Sequence, residues 1–345
     1  MKNQKIEAII NVVKSHKEIG SREIFELLKP SISNATLKRI LSKLLQEDFI
    51  TKAGQGKSTK YSISSNYEMI RAVDIDTYFS REIDERIVKE QYNFNLPKSF
   101  ENLSLFSKSE LTELNALQEK FKSNISKLSE LAYKKELERL AIDLSWKSSQ
   151  IEGNTYTLLE TERLLKDKQT ASGKTKEEAI MLLNHKEAID FMIENPDYLN
   201  PLTISKIEDI HSILIKELGV DKNIRKSRVG ISGTNYRPLD NSFQITEALR
   251  DFCELINHKN NIFEKALLVL LMISYIQPFE DGNKRTARIV SNAILMYHSF
   301  CPISFRTVDS IAYKKAMLIF YEQNNISCFK EIFIDQFKFA VNTYF

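Results

Sequence analysis

The stretch Gln277-Pro278-Phe279-Glu280-Asp281-Gly282-Asn283-Lys284-Arg285-Thr286-Ala287-Arg288 decides how the C-terminal part of this chain folds. Residues 266–273, just before it, are apolar on all sides, which indicates a buried helix. Pro278 disfavours helical angles in the preceding residue, so this helix is predicted to end near Gln277. Asp-Gly-Asn is a turn signal, and a second helix is predicted after it. The buried side of that second helix is expected to carry Ile289, Val290, Ala293, Ile294 and Tyr297.

Two arginines occupy the start of the second helix. Arg285 and Arg288 are three residues apart and therefore share one face, yet the helix dipole disfavours positive charge at this end. A bound phosphate would compensate, because the helix N-terminus, the Gly-Asn turn and two guanidinium groups all favour an anion. The stretch thus predicts a phosphate site, with Asp281 as a ligand of a Mg2+ ion that shares the phosphates. The alternative is an ordinary solvated helix start.

The same stretch resembles the signature of the Fic family, His-x-Phe-x-(Asp/Glu)-Gly-Asn-(Gly/Lys)-Arg-x-x-Arg. Members of this family usually transfer AMP from ATP to a hydroxyl group of a target protein. The resemblance implies a mainly α-helical Fic core over residues 110–345, with ATP as substrate and Mg2+ as cofactor. The matching positions are Phe279, Asp281, Gly282, Asn283, Lys284, Arg285 and Arg288. The last five of these are the expected nucleotide-binding residues.

Gln277 stands where the family has its catalytic His. In the family, this His takes the proton of the target hydroxyl, which attacks the α-phosphorus of ATP and releases pyrophosphate. Glutamine has no group that accepts a proton near neutral pH, and loss of a general base typically costs about 100- to 10,000-fold in rate. Three interpretations remain open: a pseudoenzyme that still binds nucleotide, a slow enzyme with another base, or an engineered substitution.

An acidic residue is predicted to neutralise one arginine. A helix over residues 136–154 has a buried face whose register reaches Ser148 and Glu152, and Gly153-Asn154 is typical of a helix end. A buried Glu at a helix C-terminus requires a cation. Residues 148–153 are similar to the Fic inhibitory motif, (Ser/Thr)-x-x-x-Glu-(Gly/Asn), which implies that Glu152 pairs with Arg288 and blocks productive placement of the ATP γ-phosphate. The alternative is a solvated Glu at a helix end.

Between these motifs, helices are predicted at 161–165, 177–193 and 203–218. His185 and His211 lie on them and are expected to be packed rather than catalytic. Residues 228–238 carry the only good hairpin signal of the C-terminal part, and they resemble the Fic target-binding flap, where a bound peptide adds as an edge strand. A simple surface hairpin is the alternative. The flap candidates are Ile231, Gly233 and Thr234.

The first 65 residues form a basic segment. They hold 12 Lys or Arg against 6 Asp or Glu, whereas the whole chain holds 49 against 46, which suggests a polyanionic partner. Three helical patterns and a basic Gly-rich hairpin resemble a winged helix-turn-helix domain, so double-stranded DNA is the expected ligand. A protein-docking or dimerisation module is the alternative. The expected DNA contacts are Thr36, Lys38 and Arg39 on the third helix and Lys52, Lys57 and Lys60 on the wing.

The length of 345 residues allows two or three domains. We expect a winged helix over 1–65, a connector over 66–109 with a helix around 74–90, and the Fic domain over 110–345. No apolar stretch is long enough for a membrane span and no signal-peptide core is present, so the cytoplasm is the expected location. Three widely spaced cysteines predict reduced thiols and no structural zinc. The oligomeric state, a homodimer included, stays open.

Three functional hypotheses follow. The first is an adenylyltransferase autoinhibited by Glu152 and impaired by Gln277. The second is a DNA-binding transcriptional regulator whose Fic domain is a catalytically weak nucleotide sensor. The third and weakest is removal of AMP from modified proteins, with Glu152 activating water.

Overall fold

The computed structural model describes residues 2–345, without the side chains of Lys2, Asn3 and Lys57. The chain divides into two compact units, Met1–Ala72 and Val73–Phe345. Residues 73–109 thus belong to the second unit, whereas the sequence suggested a separate connector from residue 66.

The first unit combines helices with a small antiparallel sheet. Its helices are α1 (Lys2–Lys14), α2 (Ser21–Leu28), α3 (Asn34–Gln46) and α4 (Tyr67–Ile70). Its strands are β1 (Ile19–Gly20), β2 (Ile50–Ala53) and β3 (Lys60–Ile63), in the order β1-β3-β2.

The apolar stripes of α1 and α3 form the core of this unit, because their buried residues recur at helical spacing. Gly54 makes the turn after β2 with φ of 79°, and a Cβ atom there would lie 2.7 Å from the Ser58 carbonyl oxygen. Glycine is therefore required at this position. The buried core residues include Ile9, Ile10, Val13, Leu37, Ile40, Leu41 and Leu44.

The second unit is helical. Its helices are α5 (Ile75–Phe79), α6 (Leu96–Asn102), α7 (Lys108–Ile125), α8 (Glu130–Ile151), α9 (Leu158–Asp167), α10 (Lys176–Glu194), α11 (Ile204–Leu214), α12 (Ser242–His258), α13 (Ile262–Ile276), α14 (Asn283–Tyr297), α15 (Ser310–Gln323) and α16 (Ser327–Thr343). None of the helices in the described part of the chain is long and apolar enough to cross a membrane.

Helix α13 is the centre of this unit. Its residues 266–276 are all fully buried, which agrees with the apolar character of the run on every side. Helix α14 packs along α13, α12 and α15 also contact α13, and α8, α10 and α11 contact α14. The functional stretch between α13 and α14 is therefore held by buried helices on both sides.

The structure also differs from the sequence-based expectation at the following places. The helix expected around 74–90 is limited to α5 and a single 3-10 turn at Ile83–Glu85. Residues 228–238 contain no strand, only a turn at 232–233 and one isolated bridge from Arg237 to Gln91. The physical reason is shared, since the two segments bond to each other: the Arg237 N–H donates to the Glu90 carbonyl, and the Arg86 side chain donates to the Gly233 carbonyl. Tyr297, expected on the buried side of α14, is 38% exposed.

Candidate functional site

Helix α13 ends at Ile276, two residues before Pro278, as the sequence predicts. Gln277 follows in the left-handed conformation, with φ of 51°, and its N–H donates to the Ile273 carbonyl. Its side-chain Nε2 donates to the Ser274 carbonyl at 2.6 Å, and its Oε1 accepts from Asn283 Nδ2 at 3.0 Å. The amide of Gln277 is thus held at both ends.

The turn before α14 is held by side chains on both of its faces. Gly282 caps α14 with φ of 80°, a conformation that strongly favours glycine. Asn283 Oδ1 accepts from the Phe279 N–H at 2.9 Å, and the His211 ring stacks on Phe279 at 3.6 Å. His211 Nε2 lies 2.9 Å from the Asp281 carbonyl oxygen. Burial lowers the pKa of His211, so the ring is neutral near pH 7.

The start of α14 presents unpaired donors. No backbone hydrogen bond from the N–H groups of residues 283–285 is found within the described residues. Arg285 is 1% exposed and donates Nη2 to Asp281 Oδ2 at 2.9 Å, but its Nε and Nη1 have no protein partner there. Buried donors are normally satisfied, so this arrangement calls for an anion. Asp281 neutralises the charge of Arg285 only in part, since it pairs with one of the three guanidinium nitrogens.

Arg288 is fully buried and already paired. Its Nε donates to Ser148 Oγ at 2.7 Å, and its Nη2 donates to Glu152 Oε1 at 2.7 Å. Glu152 is the residue that caps the C-terminus of α8, and its Oε2 also lies 3.3 Å from Lys284 Nζ. Burial alone would raise the pKa of Glu152, but Arg288 and Lys284 outweigh burial and lower the pKa to about 2. The carboxylate is ionised at neutral pH.

Ser148 connects Arg288 to a second buried side chain. Ser148 Oγ accepts from Arg288 and also lies 2.6 Å from His185 Nε2, with which it shares a hydrogen bond. Burial, with Arg288 nearby, keeps the pKa of His185 well below its usual value of 6.5, so the ring is neutral near pH 7. The sequence indicated only that His185 would be packed. Its link to Ser148 was not foreseeable, since the two residues lie on different helices.

A cavity of about 330 Å³ opens beside these groups. Its wall combines the start of α14 with Glu152, the segment 230–232 and one face of α15. Ile231 lines the cavity, whereas Gly233 and Thr234 lie beyond it, and Thr234 Oγ1 accepts from the Tyr236 N–H. The residues that supply α15's face are Lys314, Met317, Leu318 and Tyr321.

In the first unit, the residues expected to contact DNA differ in exposure and in their hydrogen-bond or ion-pair partners. Lys38, Arg39 and Lys52 are exposed. Thr36 is half-buried and bonded to Ser33, which caps α3. Lys60 Nζ is paired with Glu23 Oε2 at 2.9 Å. The side chain of Lys57 lies outside the described residues.

Comparison with known proteins identifies the class. A family model described as Fic/DOC family matches residues 201–295, from just before α11 to near the end of α14. The chain therefore contains a Fic/DOC family domain.

Two curated relatives match part of the chain. Protein adenylyltransferase Fic of Nematostella vectensis is 32% identical over 175 residues, which cover 47% of this chain and 39% of that protein. Protein adenylyltransferase fic-1 of Caenorhabditis elegans is 27% identical over 166 residues, which cover 44% and 31%. The chain thus spans less than half the length of these relatives.

Solved structures agree on the fold. Fic-1 (aa134 - 508) from C. elegans aligns with a TM-score of 0.59 at 18% identity, covering 68% of this chain and 72% of that chain. A Fic domain containing signaling protein from Bacteroides thetaiotaomicron VPI-5482 aligns with a TM-score of 0.56 at 20% identity, covering 67% and 93%. The prediction of a mainly helical Fic fold is confirmed.

Proposed function

We propose that this protein is an adenylyltransferase that moves AMP from ATP to a Ser, Thr or Tyr hydroxyl of a target protein and is held inactive by Glu152. The observation that carries the proposal is the Glu152–Arg288 ion pair at 2.7 Å beside the cavity at the start of α14. The names of the curated relatives support the reaction class.

In this proposal the triphosphate lies on the start of α14. The N–H groups and side chains of residues 282–285 cradle the phosphates, and Arg285 contributes its two unpaired nitrogens. Arg288 binds the γ-phosphate only after Glu152 has left it. An anion here also offsets the unfavourable contact of two arginines with the positive helix end.

Asp281 fits the part of a Mg2+ ligand. Its side chain is 65% exposed at the cavity, and its two oxygens accept one bond each, from Gly282 N–H and Arg285. Each oxygen retains a lone pair, and Mg2+ normally takes one or two carboxylate oxygens together with phosphates and water. When bound, the ion would neutralise phosphate charge.

Gln277 limits the chemistry in this proposal. Its amide is held by Ser274 and Asn283 and has no proton-accepting group. The residue can therefore keep the loop in place without activating the target hydroxyl. We infer a slow or silent enzyme whose framework for ATP is intact.

The decisive test uses ATP labelled at the α-phosphate. Glu152→Gly frees Arg288, and Gln277→His restores a general base, so the double variant should label itself or a target protein. The matched control is Glu152→Gly with Gln277→Ala, which should bind ATP with little or no transfer. If the double variant binds ATP but no protein is labelled, the proposed transfer reaction is contradicted. If the double variant does not bind ATP, the proposed nucleotide site is contradicted.

A second function is favoured by the first unit. We propose that residues 1–65 form a winged helix-turn-helix domain that binds double-stranded DNA, with a nucleotide-sensing Fic domain attached. The support is the exposure of Lys38 and Arg39 on α3 together with the charge excess of this segment.

Salt dependence tests the DNA proposal. Anisotropy of a labelled 30-base-pair duplex, measured between 50 and 200 mM salt, should show binding that weakens with salt. Changing both Lys38 and Arg39 to Ala should reduce the slope of log K against log salt by about 2. Changing Lys98 and Lys127 to Ala is the charge-matched control. Equal effects of the two double variants contradict DNA binding through α3.

We also propose a cytoplasmic location, supported by three buried, widely spaced cysteines, a pattern that suits a reducing compartment. A homodimer is the assembly we propose to test by analytical ultracentrifugation. A concentration-independent monomer would exclude it.

A further inference from the structure

A segment of the chain itself lies along the loop that faces the cavity. The N–H of Arg237 donates to the Glu90 carbonyl at 2.7 Å, and Gln91 forms a parallel bridge with Arg237. Asn235 Nδ2 donates to Asp84 Oδ1 at 3.1 Å. Residues 84–91 therefore cover the edge of residues 235–237.

One buried arginine fastens this arrangement. Arg86 donates Nη1 to Glu322 Oε1 at 3.0 Å and Nη2 to the Gly233 carbonyl at 3.0 Å. Its side chain is 4% exposed and that of Glu322 is 0% exposed. The planar guanidinium serves both acceptors at once, which a single ammonium group is poorly shaped to do.

Gly233 is where the covered and the free parts of the loop meet. It has φ of 87°, and a Cβ atom there would lie 3.5 Å from Leu318 of α15, so the turn rests on the helix that also lines the cavity. Residues 229–232 make no backbone hydrogen bond to other described residues. One arm of the loop is thus occupied, and the other, beside the cavity, has free backbone donors and acceptors.

We propose that Arg86 is a positioning residue for target binding. It holds the Gly233 turn against α15 while residues 84–91 occupy the far arm, so that an extended acceptor segment pairs only with residues 229–232. An extended peptide docks by pairing with free backbone donors and acceptors, and the occupied arm limits the register in which the peptide lies. This inference rests on the proposed function.

The test separates positioning from a merely structural role. Arg86→Lys keeps a positive charge opposite Glu322 but gives up simultaneous bonding to Gly233. The expected result is a rate of hydrogen exchange at the Tyr236 and Arg237 amides that is about tenfold higher than in wild type, or more. The melting temperature should be nearly unchanged. Arg306→Lys makes the same change in the Arg306–Asp143 pair and should leave these two amides unaffected.

A second variant covers the case in which Arg86→Lys unfolds. Changing both Arg86 and Glu322 to Met removes the pair without leaving a buried charge, and it should speed exchange at the same amides. Unchanged exchange in a folded variant overturns the inference.

Activity provides the second readout. In the Glu152→Gly, Gln277→His background, an acceptor peptide chosen from a Ser/Thr/Tyr peptide array should show KM raised about fivefold or more by Arg86→Lys. The kcat and the ATP dissociation constant should stay within about twofold, because the nucleotide contacts are untouched. A fall in kcat with unchanged KM also overturns the inference. If Arg86→Lys speeds hydrogen exchange but AMP is not transferred to any peptide, the proposed function is contradicted, whereas the role of Arg86 in holding the loop is supported.

Discussion

Replacing Glu152 should strengthen ATP binding, because the nucleotide no longer has to displace a carboxylate from Arg288. Glu152→Gly removes both the 2.7 Å contact to Arg288 and the 3.3 Å contact to Lys284. The change also opens the wall of the cavity that the side chain lines. Glu152→Gln keeps the shape and removes only the charge, so comparison of the two variants separates electrostatics from space.

The magnitude follows from the acidity of Glu152. Its pKa falls from 4.5 to about 2, which corresponds to about 3 kcal/mol of net stabilisation of the carboxylate. This is an upper limit for what ATP must overcome, since the γ-phosphate replaces the carboxylate at Arg288 and the Glu152 side chain is 18% exposed. We therefore expect the dissociation constant for ATP to fall by about 10- to 100-fold.

Isothermal titration calorimetry with ATP and Mg2+ measures this change directly. AMP should bind wild type and variant with similar affinity, because it has no γ-phosphate to compete with Glu152. Glu187→Gln, in an exposed pair with Lys216, is the charge-matched control and should leave ATP binding unchanged.

The unliganded variant carries a further signature. Arg288 is fully buried and loses its only carboxylate among its hydrogen-bond partners in the described chain. Breaking a buried pair typically destabilises a protein by about 3–5 kcal/mol, and the two remaining bonds to Ser148 place this case at the low end. The melting temperature should fall without ligand and rise more steeply with ATP than in wild type. Equal ATP affinity and equal melting temperature in the two proteins refute the reasoning.

Two further predictions concern stability. The pKa values of His185 and His211 are lowered on folding, so below pH 6.5 the unfolded chain binds more protons than the folded chain. The free energy of unfolding should therefore drop as pH falls, by up to about 1.4 kcal/mol per pH unit for each ring. Urea unfolding at pH 7.5 and 5.5 checks this, and His185→Phe should flatten the slope, while a slope equal to that of wild type speaks against it. Gly282→Ala forces a Cβ atom to 3.3 Å from His211 and Ile215 at φ of 80°, so it should lower unfolding free energy by about 1–3 kcal/mol; Gly230→Ala, with open space around it, is the control.

Local rules were sufficient for the framework of the site. The apolar run before Gln277 predicts a buried helix, and Pro278 predicts its end, because both depend only on neighbouring residues. Likewise, two arginines on one face at a helix start predict an electrostatic need that must be met somewhere. That Glu152 lies against Arg288 agrees with this need, although the control of ATP binding remains a proposal.

The three-dimensional arrangement decided which partner meets each group. Asp281 neutralises part of the charge of Arg285, and Ser274 and Asn283 hold the amide of Gln277. In the region where a helix was expected around 74–90, Arg86 instead bonds to Glu322 and Gly233. Periodicity and turn signals describe residues that are neighbours along the chain. The pairs above depend on burial instead, because a charge or amide removed from water bonds to the polar groups that the packed helices place next to it. For that reason the amino-acid sequence determined the helices and the demand for a counter-charge, and only the tertiary structure decided how the demand is met.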